Sequence, residues 1–389
     1  MLKKKIFSTM IAVVMLISLT VPVSANAAAI TLVIDGVRQS ADVAPVVESG
    51  STLVPLRLIS ESLGASVSWN AARRQATIQT AGYTVVFTID STTFTVNGAN
   101  KTLNVAPKII NGRTLVPIRA FADAIGATVD YNASTNTASV DYFTKMTGSI
   151  KISGSTTVQP IAQAAADKLI SKNRGLSISV AGGGSGSGIN DVTAGTVNIG
   201  MSSRELRDSE METLNVFAVA NDAIAIIVHP SNPVRNLTKD QAQKIFMGEI
   251  KNWNEVGGSN APIFVKTRET GSGTLSALTD LLLGSGNSVV STATPFTSSQ
   301  LIKMEVAKDA NAIGFDSIGF LDSTVKAVSL DGVSASSATV LDKSYALGRQ
   351  IFVATKGRPT GTTAIFIDYM RSKDCQDNIV VAEGYVTLK

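Results

Sequence analysis

The sequence predicts an α/β protein, with a two-lobed body built on a mostly parallel sheet and a small repeat-built α+β domain in front of it. Three observations carry this. From about Met146 onward, short β-branched runs (SIKIS, LSISVAG, NIGMSS, IAIIV, IFVKT) alternate with helical stretches at Val158–Lys172, Lys239–Phe246 and Thr274–Leu283. Before that point, residues 52–78 recur as residues 114–140. The chain of 389 residues, 44% hydrophobic and 16% charged, exceeds one ordinary domain and can fill two or three cores.

The first element is a processing signal. Lys3, Lys4 and Lys5 form a positive region, Ile6 to Leu19 is apolar, and Ser24-Ala25-Asn26-Ala27 offers small residues for cleavage. Residues 1–27 therefore read as a signal peptide, and the remainder as exported. Removing the three lysines takes the formal charge from +4 to 4 − 3 = +1, so no nucleic-acid partner is indicated. The single cysteine, Cys375, permits no intrachain disulfide and lies far from the signal, so no lipid-modified cysteine follows it.

The next element, residues 30–142, is the repeat. TLVPLRLISESLGASVSWNAARRQATI aligns with TLVPIRAFADAIGATVDYNASTNTASV, pairing Pro55 with Pro117, Gly64 with Gly126 and Trp69 with Tyr131. Each copy reads as a VP[LI]R start, a short helix ended by glycine, and two alternating strands. At these residues the segment resembles the copper amine oxidase N-terminal-like domain, found as a stalk on exported proteins of Gram-positive bacteria. Copper chemistry is not implied, because copper favours imidazole and sulfur ligands and the segment has neither histidine nor cysteine. A spacer or surface-attachment role is the expectation, with a cell-wall polymer as its partner.

The body, residues 146–389, carries the chemical signal. Three times a strand ends in a Gly/Ser/Thr turn that opens a helix, at residues 152–170, 180–195 and 265–283. A helix start offers free N–H groups at the positive end of the dipole, which is an anion site. Glycine admits close approach and Ser or Thr adds an uncharged donor. The third turn adds a cation, Arg268, four residues ahead of Ser272. GxxxxGK[ST] is absent, and the glycines at 182–188 lack dinucleotide spacing. The only histidine, His229, stands beside Pro230 at a strand end, with no G-x-S-x-G elbow and no cluster of metal-ligand spacing. The reading is a binding protein that is not an enzyme and needs no cofactor.

The body also resembles the phosphate-binding protein of the phosphate ABC importer, within the periplasmic-binding-protein class. GSTTV (154–158), GGGSGSGI (182–189), IGMSSREL (199–206) and RETGSGT (268–274) carry the resemblance, with AIGF (312–315) beside them. It implies a type II two-lobed fold with a hinge, lobe 1 using 146–225 and 348–389 and lobe 2 using 226–347. It implies inorganic phosphate as ligand and an importer permease as partner. Ser155, Thr156, Thr157 and Ser185 would donate to the anion, Arg268 would form a charge-assisted fork, and Ser272, Gly273 and Thr274 would close the third side.

Selectivity is the open point. An ionised carboxylate only accepts hydrogen bonds, so it welcomes protonated phosphate and repels sulfate. Family members have an aspartate where this chain has Ser203, followed by Arg204. Asp222, at the start of the buried run 222–228, is the candidate substitute. Arg204 either touches phosphate or pairs with a carboxylate such as Glu205. The alternatives are another oxyanion such as sulfate, or a cell-surface structural or sensory protein whose binding module feeds no importer.

Overall fold

The structure is a computed structural model that describes residues 29–144 and 146–388; the expected signal peptide lies outside them. In the N-terminal domain each repeat folds as hairpin, helix, hairpin. The hairpins Val46–Glu48/Ser51–Pro55 and Lys108–Ile110/Arg113–Pro117 lead into the helices Leu56–Ser62 and Ile118–Ile125. Pro55 and Pro117 stand just before the first helical residue at φ −59° and −60°, the angle their rings impose. After each helix, Gly64 and Gly126 turn the chain at φ +78° and +79°, left-handed backbone that favours glycine.

The two copies pack about a local two-fold axis. Ser51–Pro55 pairs antiparallel with Arg113–Pro117, and Val54 lies opposite Val116, its own equivalent 62 positions on. The same offset also relates Thr31–Ile34 to Thr93–Val96, upstream of the expected repeat. What breaks the symmetry is the strand Thr84–Thr88, which intervenes between Gln75–Gln79 and Thr93–Val96. Thr31–Ile34 instead pairs directly with Thr137–Asp141 of the other copy.

The body is one ten-stranded sheet running through two lobes, with the path Gly175–Ala181, Thr147–Gly154, Ile199–Ser202, Gly348–Lys356, Leu214–Val228, Ala312–Ser317, Phe264–Arg268, Thr294–Phe296. The outer pairings are parallel, as βαβ crossovers require. The central pairings, where the chain crosses between lobes, are antiparallel. They are antiparallel because two strands carry the chain across and back. Leu214–Val228 pairs with Gly348–Lys356 over its first part and with Ala312–Ser317 and Lys326–Leu330 over its last. Asp222 therefore stands in mid-strand, not at a strand start.

Two cores follow. One holds the lobe 2 residues from Ala223 to Leu347 together with Val386. The other runs without a break from the N-terminal domain (Leu32, Phe121, Tyr142) into lobe 1 (Ile152, Leu169, Phe366, Tyr385). The N-terminal domain is thus fused to lobe 1 by packing. At the joint, the buried Asp368 carboxylate accepts from the Ala81 N–H at 2.6 Å and the Tyr142 hydroxyl at 2.8 Å. Burial pushes Asp368 up to about 7, against the pull of those donors. No helix among the described residues is long and apolar enough to cross a membrane.

Candidate functional site

The three glycine-serine turns converge where the lobes meet. The first precedes the helix Gln159–Lys172, and Ser155 Oγ accepts from the N–H groups of Thr157 and Val158 at 3.2 and 3.4 Å. Ser155 thus closes the turn just before its helix, while the Thr157 hydroxyl faces across the cleft. The second turn opens Ser185–Ala194, where Ser185 is fully buried and its Oγ accepts from the Ser203 N–H at 3.0 Å. The third is in lobe 2, where Ser272 caps the six-residue helix Gly273–Leu278 by accepting from Leu275 N–H at 3.3 Å.

Between them lies a knot of buried hydroxyls. Thr157 and Thr274 are 3.0 Å apart across the lobes, Ser203 and Thr274 3.4 Å, and Ser185 and Ser203 3.4 Å. The backbones also meet, with Gly186 N–H donating to the Gly271 carbonyl at 3.0 Å. Gly273 is required by this approach. A Cβ there would stand 2.1 Å from Ser185 Oγ and 2.8 Å from Ser203 Oγ.

Two buried arginine side chains, Arg268 and Arg349, flank the knot. Arg268, 3% exposed, donates to Ser299 Oγ at 3.1 Å, to Thr156 Oγ1 at 3.2 Å and to the carbonyls of Phe296 and Thr297. Burial lowers its pKa, opposed by the charge of Asp316. On the other side Arg349 donates to the Ser203 carbonyl at 2.7 Å and to Thr274 Oγ1 at 3.2 Å. Its counter-ion is Asp222, 2.8 Å away. The two residues stand directly opposite in the antiparallel register of the crossing strands.

Asp222 is engaged at both oxygens. One oxygen serves Arg349 and the other accepts from the Ser317 hydroxyl at 2.6 Å. Asp316 is different: one oxygen accepts from the Ser317 N–H at 2.8 Å, and the other, buried, has no hydrogen-bond partner. Burial pushes Asp316 up to about 7, against the Ser317 N–H, Arg268 and Ser299, which pull it down. Arg204 is turned to another partner. It forms a two-pronged pair with Glu210 at 2.8 Å and donates to the backbone carbonyl of Glu205, whose carboxylate the sequence reading had suggested. That pairing holds Glu210 below its ordinary range.

Of the expected residues the structure gathers Thr156, Thr157, Ser185, Ser203, Arg268, Gly273 and Thr274, with Ser155 in the turn before its helix and Ser272 as a cap. Sequence reasoning missed Arg349, Ser299, Asp316 and Ser317. Arg349 had a signal in retrospect, as a lone cation opening the apolar run 351–354 opposite an equally lone aspartate. Asp316 directly follows the AIGF segment already singled out. Among the described residues no group of His, Cys, Asp and Glu could hold a metal ion.

A cleft lined with buried hydroxyls, helix starts and arginines between two lobes has the chemistry to hold an anion, in the two-lobed fold of a periplasmic binding protein. Residues 118–374 match the PBP superfamily domain, and residues 33–140 match the copper amine oxidase N-terminal domain. The phosphate-binding protein PstS of Bacillus subtilis is 34% identical over 248 residues, 62% of this chain and 81% of that protein. A putative phosphate ABC transporter substrate-binding protein with bound phosphate, from Clostridium perfringens, is 37% identical with a TM-score of 0.60. That alignment covers 62% of this chain and all of that one. An ABC-type phosphate transport receptor from Vibrio cholerae is 34% identical with a TM-score of 0.54, over 61% of this chain and 99% of its own. The chain belongs to the PBP superfamily and, within it, to the PstS phosphate-binding proteins.

Proposed function

We propose that this chain captures inorganic phosphate outside the cytoplasm and presents it to the permease of a phosphate ABC importer. The observation that carries the reading is the knot of four buried hydroxyls, from Thr157, Ser185, Ser203 and Thr274, drawn from both lobes and flanked by Arg268. An oxyanion entering there exchanges hydroxyl–hydroxyl bonds for charge-assisted ones, which are roughly twice as strong. Because donors come from both lobes, the anion binds the closed cleft better than an open one and draws the hinge shut. Arg349 is neutralised by Asp222 and orients Thr274 and Ser203 from behind. Arg204, held by Glu210, braces the Ile199–Ser202 strand end rather than the anion.

Selectivity for phosphate over sulfate is assigned to Asp316. Its unpartnered oxygen is an acceptor behind Arg268 and Ser299, whereas both oxygens of Asp222 already hold partners. The N-terminal domain, in turn, holds the module at the cell surface through a wall polymer.

Calorimetric titration of the chain with phosphate, sulfate and arsenate tests the reading. Phosphate and arsenate should bind at one site with sulfate excluded. Equal binding of sulfate would reduce the site to a general oxyanion cleft. No heat with any of the three would overturn it.

A further inference from the structure

The local two-fold axis of the N-terminal domain builds two grooves from equivalent residues. One, with a volume of about 740 Å³, lies between the hairpin of the first repeat and the helix of the second. The other, about 530 Å³, lies between the hairpin of the second repeat and the helix of the first. Each groove is therefore made in trans, and both fall within the usual volume of ligand sites, roughly 300–1,000 Å³. The same three chemical groups recur in each. An aromatic ring stands on the strand after the helix, Trp69 in one groove and Tyr131 in the other, and both are 43% exposed. An arginine, Arg57 or Arg119, and a carboxylate one turn on, Glu61 or Asp123, line the helix side.

Two large aromatics left open at equivalent positions call for a use, since such rings ordinarily stabilise by burial. Much of the lining is shared between the copies (Gly50/Gly112, Thr52/Thr114, Val67/Val129), while Ser51 in one hairpin stands against Arg113 in the other. Ring, arginine and carboxylate have kept their character. We propose that the two grooves bind a neutral carbohydrate polymer, one stretch of pyranose rings in each. The apolar face of a sugar ring stacks on Trp69 or Tyr131. Its hydroxyls both donate and accept, matching a carboxylate that accepts and a guanidinium that donates. Cations and carboxylates occur together in each groove, so neither a polyanion nor a polycation is favoured. A proline-rich helix needs slots walled by several aromatics, whereas each groove exposes one ring. Duplication suits a repeating polymer, because two equal weak sites gain affinity together when one chain or one wall presents many units. The inference rests on the surface-retention reading only for where such a polymer would be met, and it is independent of the phosphate cleft.

Trp69 offers a direct readout, because the other tryptophan, Trp253, is 1% exposed and should not respond. The whole chain would be titrated with N-acetylglucosamine hexamer, cellohexaose and a proline-rich decapeptide, then sedimented with purified peptidoglycan sacculi. A glycan should shift the Trp69 emission to the blue and bind at two sites per chain. Tyr131→Ala should leave the emission shift and one site. Trp69→Ala with Tyr131→Ala should lower retention on sacculi at least tenfold while phosphate titration and melting temperature stay unchanged. Retention indifferent to the double substitution, no response to any glycan, or a response to the peptide alone would each overturn the proposal. Glycan binding in solution without retention on intact cells would instead refute the surface-retention reading.

Discussion

The two buried carboxylates beside the cleft make opposite predictions, and Asp316→Asn against Asp222→Asn separates them. In Asp316→Asn the free carboxylate oxygen becomes an amide N–H₂ group or an uncharged carbonyl. Above about pH 7, where Asp316 is ionised, a P–OH that donated to it then loses a hydrogen bond to a charged group, worth about 1.5–3 kcal/mol. At 1.4 kcal/mol per decade, phosphate affinity should fall about 10- to 150-fold. Sulfate carries no proton to donate and gains by losing a like charge, so its affinity should hold or rise. In Asp222→Asn the retained oxygen still serves Ser317, but Arg349 loses its charge partner at 2.8 Å. Leaving one partner of a buried pair uncompensated costs about 3–5 kcal/mol. That variant should melt earlier and weaken both anions together, with their ratio unchanged. Calorimetric titration with phosphate and sulfate at fixed pH and salt, beside thermal melts, reads both quantities. Loss of selectivity in Asp222→Asn with selectivity intact in Asp316→Asn would refute the assignment.

Three further predictions follow from the packing. Gly273→Ala puts a methyl 2.1 Å from Ser185 Oγ, so it should hold the cleft ajar and abolish measurable phosphate binding at concentrations that saturate the parent, read by the same titration. Gly64→Ala and Gly126→Ala form a matched pair, both at a left-handed φ, and each should cost about 1 kcal/mol for strain. At Gly64 the new Cβ would also meet the Asp368 carbonyl at 1.9 Å, so only that variant should loosen the N-terminal domain, seen as a second melting transition. Finally, Asp368 binds its proton more tightly in the folded chain, about 7 against 3.8, so its contribution to stability is greatest in acid and is lost as pH rises from about 4 to about 7. Asp368→Asn should flatten that decline by up to about 4 kcal/mol, measured by denaturant melts across the window, leaving the similar contribution of Asp316.

Local signals were the legible ones. The repeat, the three helix-opening turns and the arginine of the third all lie within short windows, where glycine, hydroxyl and periodicity speak for themselves. What escaped was fixed by strand register. Asp222 looked like a strand start because Asn221-Asp222 interrupts the apolar run, yet the strand continues from Leu214 past a bulge between Ala218 and Ala220. Only the pairing with Gly348–Lys356 brings Arg349 against Asp222, residues 127 positions apart. Arg204 was ambiguous for the converse reason. Its partner Glu210 is only six residues away, but the choice between Glu205 and Glu210 depends on how the chain enters the short helix Asp208–Met211.

The joint between the domains bears on how the cleft can move. The N-terminal domain shares its core with lobe 1, and the lobe 2 core takes no residue from it among the described residues. Asp368, Gly64 and the Arg358–Thr84 contact all tie it to the lobe 1 helix Gly361–Arg371 or the loop before it. Lobe 2 instead meets lobe 1 through the crossing strands, Val386, the hydroxyl knot and the Gly186–Gly271 and Arg268–Thr156 hydrogen bonds. Strands bend and twist at such crossings with few contacts to break, whereas separating a continuous core would expose Phe121, Tyr142 and Phe366 at about 25 cal/mol per Å². The packing therefore predicts that lobe 2 moves against lobe 1 and the N-terminal domain, which should stay together. A chain anchored through its N-terminal domain would then keep lobe 1 still and swing only lobe 2 over the anion. Site-specific labels on Ser134 and Ser276 should change their separation with phosphate, while labels on Ser134 and Ser171 should not. Movement of the second pair would mean that the shared core opens and that the domain rides on a flexible stalk after all.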